Sequence, residues 1–190
     1  MGRPPKGWYL ASLIEHESCI SLKHSRCWNE KSQLKSAREE GAGLGQITRA
    51  FNQDGSIRFD ALAEIRAKHA SLRELNWQNV YSRPDLQIRA VVLKMRDNYS
   101  YFKPYASNFE EAYAFSDAAY NGGIGGVDKE RRACKISPTC DHTKWFGHVE
   151  NFCMKSKAPL YGNRSACMIN RHHVKDVMLT RANKYKKFFN

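Results

Sequence analysis

A mainly α-helical globular domain is the fold this sequence predicts, and three observations point there. The clearest apolar stripe in the chain, Ile88, Val91, Val92, Met95 and Tyr99, recurs at helical spacing. Helix-start signals stand ahead of apolar runs at Asp60, at Pro84 and at Asn108 with Glu111. With 190 residues, 42% of them hydrophobic, the chain can bury one core without metal or cross-links. A single domain over 1–190 is expected, carrying a small turn or hairpin region and a basic C-terminal segment, 151–190. No linker, internal repeat or heptad array interrupts it.

Each element follows from its residues. Residues 8–17 read as a helix on which Leu10, Leu13 and Ile14 share a face, and Glu17 continues that face one turn further. A carboxylate so placed either reaches water at the core boundary or stands in an apolar wall. Residues 19–33 are polar and without periodicity. Residues 36–48 are turn-rich, and Gly41, Gly43 and Gly45 permit tight backbone beside a ligand or serve only the geometry of a short hairpin.

Asp60 caps a predicted helix through Leu62, Ile65, His69, Leu72 and Leu75, with His69 at the core edge. Pro84 suits the first turn of the striped helix. Asn108 with Glu111 opens a third helix that ends at Asn121-Gly122-Gly123, and residues 122–126 are expected to form a glycine-rich loop. A helix precedes that loop, and Val127-Asp128-Lys129 completes neither a Walker nor a dinucleotide pattern, so nucleotide binding is rejected. A turn at 159–163 leads to a basic terminal helix from about Asn170.

The formal net charge of +12 predicts an anionic partner: nucleic acid, a membrane surface, or an acidic polymer such as a bacterial wall. Residues 151–190 hold nine Lys and Arg against the single acid Asp176. Their Arg181, Lys184, Lys186 and Lys187 interleave with Tyr185, Phe188 and Phe189. Such a tail either rests on an anionic membrane or wall surface, or packs its aromatics on the core and turns its lysines to water. No helix-turn-helix, zinc-finger or RNA-recognition signature is present, so no nucleic-acid partner is expected.

No apolar run approaches the ~20 residues that span a bilayer. Nothing at the N-terminus reads as a signal peptide, and Lys6 breaks the myristoylation pattern begun by Met1-Gly2. Six cysteines, Cys19, Cys27, Cys134, Cys140, Cys153 and Cys167, form no Cys-x-x-Cys pair. Cys134, Cys140, His142, His148 and Cys153 fit structural zinc spacing poorly, so no metal is expected. Local disulfides are the expectation, with Cys19–Cys27 and Cys134–Cys140 first on sequence proximity, and free buried thiols are the alternative.

Three blocks carry a resemblance over roughly residues 8–125. Glu17-Ser18 is followed by the run from Ser36 through Gly43-Leu44-Gly45-Gln46, and then by Ala119-Tyr120-Asn121-Gly122-Gly123. In that order they resemble the lysozyme-like domain of the soluble lytic transglycosylase family. The resemblance implies a lysozyme-like α+β fold and cleavage of the bond from N-acetylmuramic acid to N-acetylglucosamine in peptidoglycan, with a 1,6-anhydro product and no cofactor. It makes Glu17 the catalytic acid and base, and gives Ser36, Gln46, Tyr120 and Asn121 to substrate binding, with Ser18 supporting the turn.

The sequence departs from the family pattern in places. Residues 19–33 are longer than the corresponding family segment, Glu40-Gly41 replaces the usual Gly-Ala, and Gly45 replaces a common methionine. The family's later Tyr-Val signature is poorly matched around His148-Val149, and no site residue is carried over there. Glu39 and Glu40 read as solvated loop acids; if either positioned a water, the product would be hydrolysed, as by a muramidase. With no leader segment evident, a monomeric phage endolysin or virion-associated lysin is expected. It would be made in the host cytoplasm and act on the wall in the periplasm. A catalytically inactive wall- or nucleic-acid-binding module is the further alternative.

Overall fold

The computed structural model describes residues 5–189; the chain start, including Met1-Gly2, and Asn190 at the end of the basic segment lie outside the described residues. About half of the residues are helical, beside a small antiparallel sheet, as the mainly α expectation requires. The chain divides into two compact units, Lys6–Lys94 and Met95–Asn190, and the division falls inside one helix. Among the described residues no helix is long and apolar enough to cross a membrane.

The first unit begins with α1 (Gly7–Ser18), which buries Tyr9, Leu13 and Ile14 and leaves Leu10 half-buried. An antiparallel meander follows: β1 (Gln33–Lys35), β2 (Glu39–Ala42), β3 (Ile47–Phe51) and β4 (Ile57–Asp60), hydrogen-bonded in that order. Ala42 pairs with Ile47 across the β2–β3 turn, and Arg49 pairs with Asp60. The expected hairpin is therefore part of a larger sheet that runs on to residue 60. An Asp54-Gly55 turn joins β3 to β4, with Asp54 Oδ1 accepting from the Ser56 N–H at 2.9 Å.

Asp60 caps α2 (Ala61–Lys68) as expected, its carboxylate accepting from the Ala63 N–H at 2.9 Å. The helix is shorter than its apolar pattern: backbone turns extended at His69, and a 3₁₀ turn at Ala70–Leu72 carries Leu72 into the core. That core holds Ala42, Ile47, Leu62, Ile65, Leu72, Leu75, Val80 and Leu86. Pro84 opens α3 (Pro84–Phe102). Its buried stripe is rotated from the expected one, because Leu86, Gln87, Ala90, Val91 and Met95 are buried while Ile88 is exposed.

In the second unit Asn108 caps α4 (Phe109–Gly122), accepting from the Glu111 N–H at 2.9 Å. The Glu111 carboxylate does not complete a capping box; it accepts from the Trp145 N–H at 2.6 Å. Gly123, at φ +77°, stops α4, and α5 (Ile124–Lys135) starts on the next residue. The expected glycine-rich loop is thus the first turn of a helix. A small hairpin of β5 (Pro159–Tyr161) and β6 (Arg164–Ser165) leads into α6 (Ala166–Lys175), which Ser165 caps by accepting from the Met168 N–H. The terminal helix therefore begins ahead of Asn170. It passes through a π-helical stretch, Asp176–Arg181, into α7 (Ala182–Lys186). Phe102 stacks on Phe115, which meets Trp145 edge-on, and all three are fully buried.

Candidate active site

Glu17 sits in the last turn of α1, half-buried, one turn beyond the buried Leu13 and Ile14. Its neighbour Glu15, 4% exposed, is the deeper carboxylate of this helix. Ser18 is buried and its hydroxyl donates to the Ile14 carbonyl at 2.7 Å while accepting from the Trp28 N–H at 3.1 Å. With the Cys19–Cys27 disulfide, this fixes the otherwise irregular loop to the end of α1. Ser18 supports the turn, as expected.

Lys94 lies in the electrostatic reach of Glu17, a relation the sequence reading missed. Burial pushes the Lys94 amine down to about 8, and the charges of Glu17 and Glu64 pull it partly back up. The only sequence hint is a lysine set between Leu93 and Met95 in the striped helix.

The β2–β3 turn is built around two glutamines. Gly43, at φ +70°, leaves room for the fully buried Gln87 amide, which a Cβ at that position would overlap. Gln87 Oε1 accepts from the Leu44 N–H at 3.0 Å, and its Nε2 donates to the Glu30 carbonyl at 3.0 Å. Gln46, a non-glycine residue at φ +42°, folds its side chain back over Gly41. Its Nε2 donates to the Gly43 carbonyl at 2.9 Å and to the Ser32 carbonyl at 3.2 Å, while its buried Oε1 has no hydrogen-bond partner. These glycines thus admit the protein's own glutamines.

Ser36 is exposed in the β1–β2 turn, where its hydroxyl accepts from the Arg38 and Glu39 N–H groups, each at 3.2 Å. The serine set against Gln46 is the buried Ser32. Sequence order alone could not separate the two.

Glu40 is no solvated loop acid. It lies in β2 at 5% exposure, accepting from Arg49 at 2.7 and 3.0 Å, from the Tyr81 hydroxyl at 2.9 Å and from Gln33 at 2.9 Å. Burial pushes its carboxyl up, but hydrogen bonds from Arg49, Tyr81 and Gln33 with the Arg49 charge outweigh burial and hold it below its ordinary range. Burial and the same carboxylate push the Tyr81 phenol up to about 12. Arg49 also stacks over the Trp77 ring at 4.4 Å.

Tyr120 and Asn121 close α4 in the second unit. Tyr120 is 6% exposed and its ring lies parallel to that of His173, with centroids 6.4 Å apart. His173 is buried, and its Nδ1 lies 2.8 Å from the buried carboxylate of Asp117. Asn121 is exposed and its Oδ1 accepts from Asn170 Nδ2 at 3.0 Å. Asn170 and His173, three residues apart on α6, thus reach the two members of the Tyr-Asn block. The sequence holds two His-Val pairs, His148-Val149 and His173-Val174, and the second is the one set against Tyr120.

All six cysteines are paired: Cys19–Cys27, Cys134–Cys140 and Cys153–Cys167. The first two are the pairs expected from proximity. At the chain's basic end, Phe188 and Phe189 are exposed rather than packed on the core, with Lys187 Nζ 5.1 Å from the Phe188 ring centroid. Neither family models nor curated proteins nor solved structures give a match to this chain.

Proposed function

We propose that the chain is a lysozyme-like lytic transglycosylase domain cleaving the glycan strands of peptidoglycan, with Glu17 as its acid and base. The observation that carries this is the setting of Glu17. It stands half-buried in the last turn of α1, one turn beyond the buried Leu13 and Ile14 and within electrostatic reach of Lys94. Support also comes from the Gly43–Gln46 turn, which is held rigidly by buried amides, and from the Tyr120-Asn121 block, which is braced by α6.

The chemistry balances without water. The Glu17 carboxyl gives its proton to the glycosidic oxygen as the C1–O bond breaks, and the substrate's acetamido group shields the cationic C1. The Glu17 carboxylate then takes the proton of the 6-hydroxyl as O6 bonds to C1, closing the anhydro ring. The tethered hydroxyl has an effective concentration far above that of a free nucleophile. Hydrolysis through Glu40 has less support, because four hydrogen bonds already occupy its oxygens and leave little capacity to orient a water. A net charge of +12 suits adhesion to an anionic wall. A phage lysin is the setting we favour.

The test is digestion of purified peptidoglycan followed by mass analysis of the soluble fragments. The proposal expects products one water lighter than a muramidase would release, and none from Glu17→Gln.

A further inference from the structure

Resting on the assignment of Asn121 to substrate binding, we propose that Glu130, Arg171 and Asn170 form a relay that fixes the amide polarity of Asn121. The relay leaves that amide facing substrate as a hydrogen-bond donor, which suits a carbonyl or ether oxygen of an aminosugar. Asn170 is then a positioning residue for glycan recognition, supplied by the basic C-terminal segment.

The relay starts at Glu130 on α5, which is fully buried. Its Oε2 lies 2.8 Å from Arg171 Nη2, and its Oε1 lies 3.4 Å from Lys155 Nζ and accepts from the Met154 N–H at 3.2 Å. Arg171 is held further by the Glu150 carbonyl, to which its Nε donates at 2.8 Å, and by the Trp145 ring below its guanidinium at 4.9 Å. So anchored, Arg171 donates from Nη1 to Asn170 Oδ1 at 2.9 Å.

Donor and acceptor chemistry then settles each amide in turn. A guanidinium can only donate, so the Asn170 group facing it must be the oxygen. A backbone carbonyl can only accept, so the Asn170 group 2.9 Å from the Ala118 oxygen must be the NH2. Both neighbours demand the same orientation, and the fully buried Asn170 cannot turn over without losing both bonds. Its NH2 also reaches Asn121 at 3.0 Å, so Asn121 must answer with its oxygen. The Asn121 NH2 is what remains for the exposed side of that residue.

Two substitutions reverse this polarity from opposite ends. In Asn170→Asp the Arg171 bond survives, but position 170 no longer donates, and Asn121 turns its NH2 inward. In Asn121→Asp the exposed residue still accepts from Asn170 but offers substrate only an acceptor, and this surface change keeps the fold if Asn170→Asp does not. For a soluble glycan that the wild-type protein cleaves, each folded variant should raise KM about tenfold, the weight of one hydrogen bond, with kcat changed far less. Unchanged KM in Asn121→Asp would overturn the recognition role. Side-chain amide exchange by NMR tests the relay without substrate. The Asn170 NH2 should be protected and the Asn121 NH2 should exchange with water; the reverse would overturn the relay. If the wild-type protein cleaves no glycan, the proposed activity and the recognition role fall together, and the exchange measurement still decides the relay.

Discussion

Glu40 in β2 and Glu130 in α5 are both buried and both meet an arginine, yet their partners lead to different places. Glu40 is closed on neighbours from its own sheet and the segment packed beside it: Gln33, Arg49 and Tyr81. Its bonds end there and brace the sheet that carries the Gly43–Gln46 turn. Glu130 forms an ion pair with Arg171, whose hydrogen bond to Asn170 leads on to the exposed Asn121. A buried carboxylate can thus clamp a scaffold or orient a surface group, and where its arginine's further contacts lead distinguishes the two.

The largest effect expected is on stability. Glu130→Ala strands Lys155 and Arg171, whose side chains are only 14% and 16% exposed, and should cost about 3–5 kcal/mol in urea unfolding. Arg49→Met should cost less, about 1–3 kcal/mol. Arg49 is 27% exposed, and Glu40 keeps Tyr81 and Gln33 when it is gone. Equal costs would erase the distinction between the two networks.

A smaller effect concerns acid. The Glu40 carboxyl is held below its ordinary 4.5 in the folded chain, so the unfolded chain binds its proton first. Its contribution to stability is complete above pH 4.5 and is lost as pH falls through the folded value. Glu40→Gln should therefore flatten the acid limb of the stability profile. An unaltered limb would show that other carboxylates govern it.

Much of the helical framework was legible because its signals are local. Asp60, Pro84, Asn108 and Gly123 each act on backbone within a few residues, and all four mark the boundaries they promised. The sheet was less legible: strands of three to five residues give little alternation, and the Asp54-Gly55 turn between β3 and β4 went unread in the sequence. Ile88 continues the apolar spacing of α3 yet is exposed, while Gln87 beside it is buried, because the Gly43–Leu44 turn needs an amide to pair with. The polarity of Glu40, the serine facing Gln46 and the His173 partner of Tyr120 depend on contacts far apart in sequence, which spacing cannot encode.

The smallest effect expected is at the basic end. Replacing Arg181, Lys184, Lys186 and Lys187 with Gln should weaken binding to isolated cell walls, most at low salt, where screening is least. Arg181 already pairs with Asp176 at 2.5 Å and Lys186 lies 3.4 Å from Glu110, so part of the charge removed is already neutralised within the chain. Stability should fall by about 1 kcal/mol, because Gln at position 181 gives up the part-buried pair with Asp176. Wall binding that is unchanged across a salt series would make this end structural only.

In the function we propose, one carboxyl, Glu17, both gives and takes the proton in cutting the glycan. Purified wild-type and Glu17→Gln proteins, shown equally folded by thermal unfolding, can be compared on isolated peptidoglycan by mass analysis of released fragments. The expectation is anhydro-muropeptides from the wild type and a rate lower by at least ~10²–10⁴ in the variant, whose amide keeps the shape but cannot act as an acid. Near-equal release by the variant, or fragments one water heavier from the wild type, would contradict it.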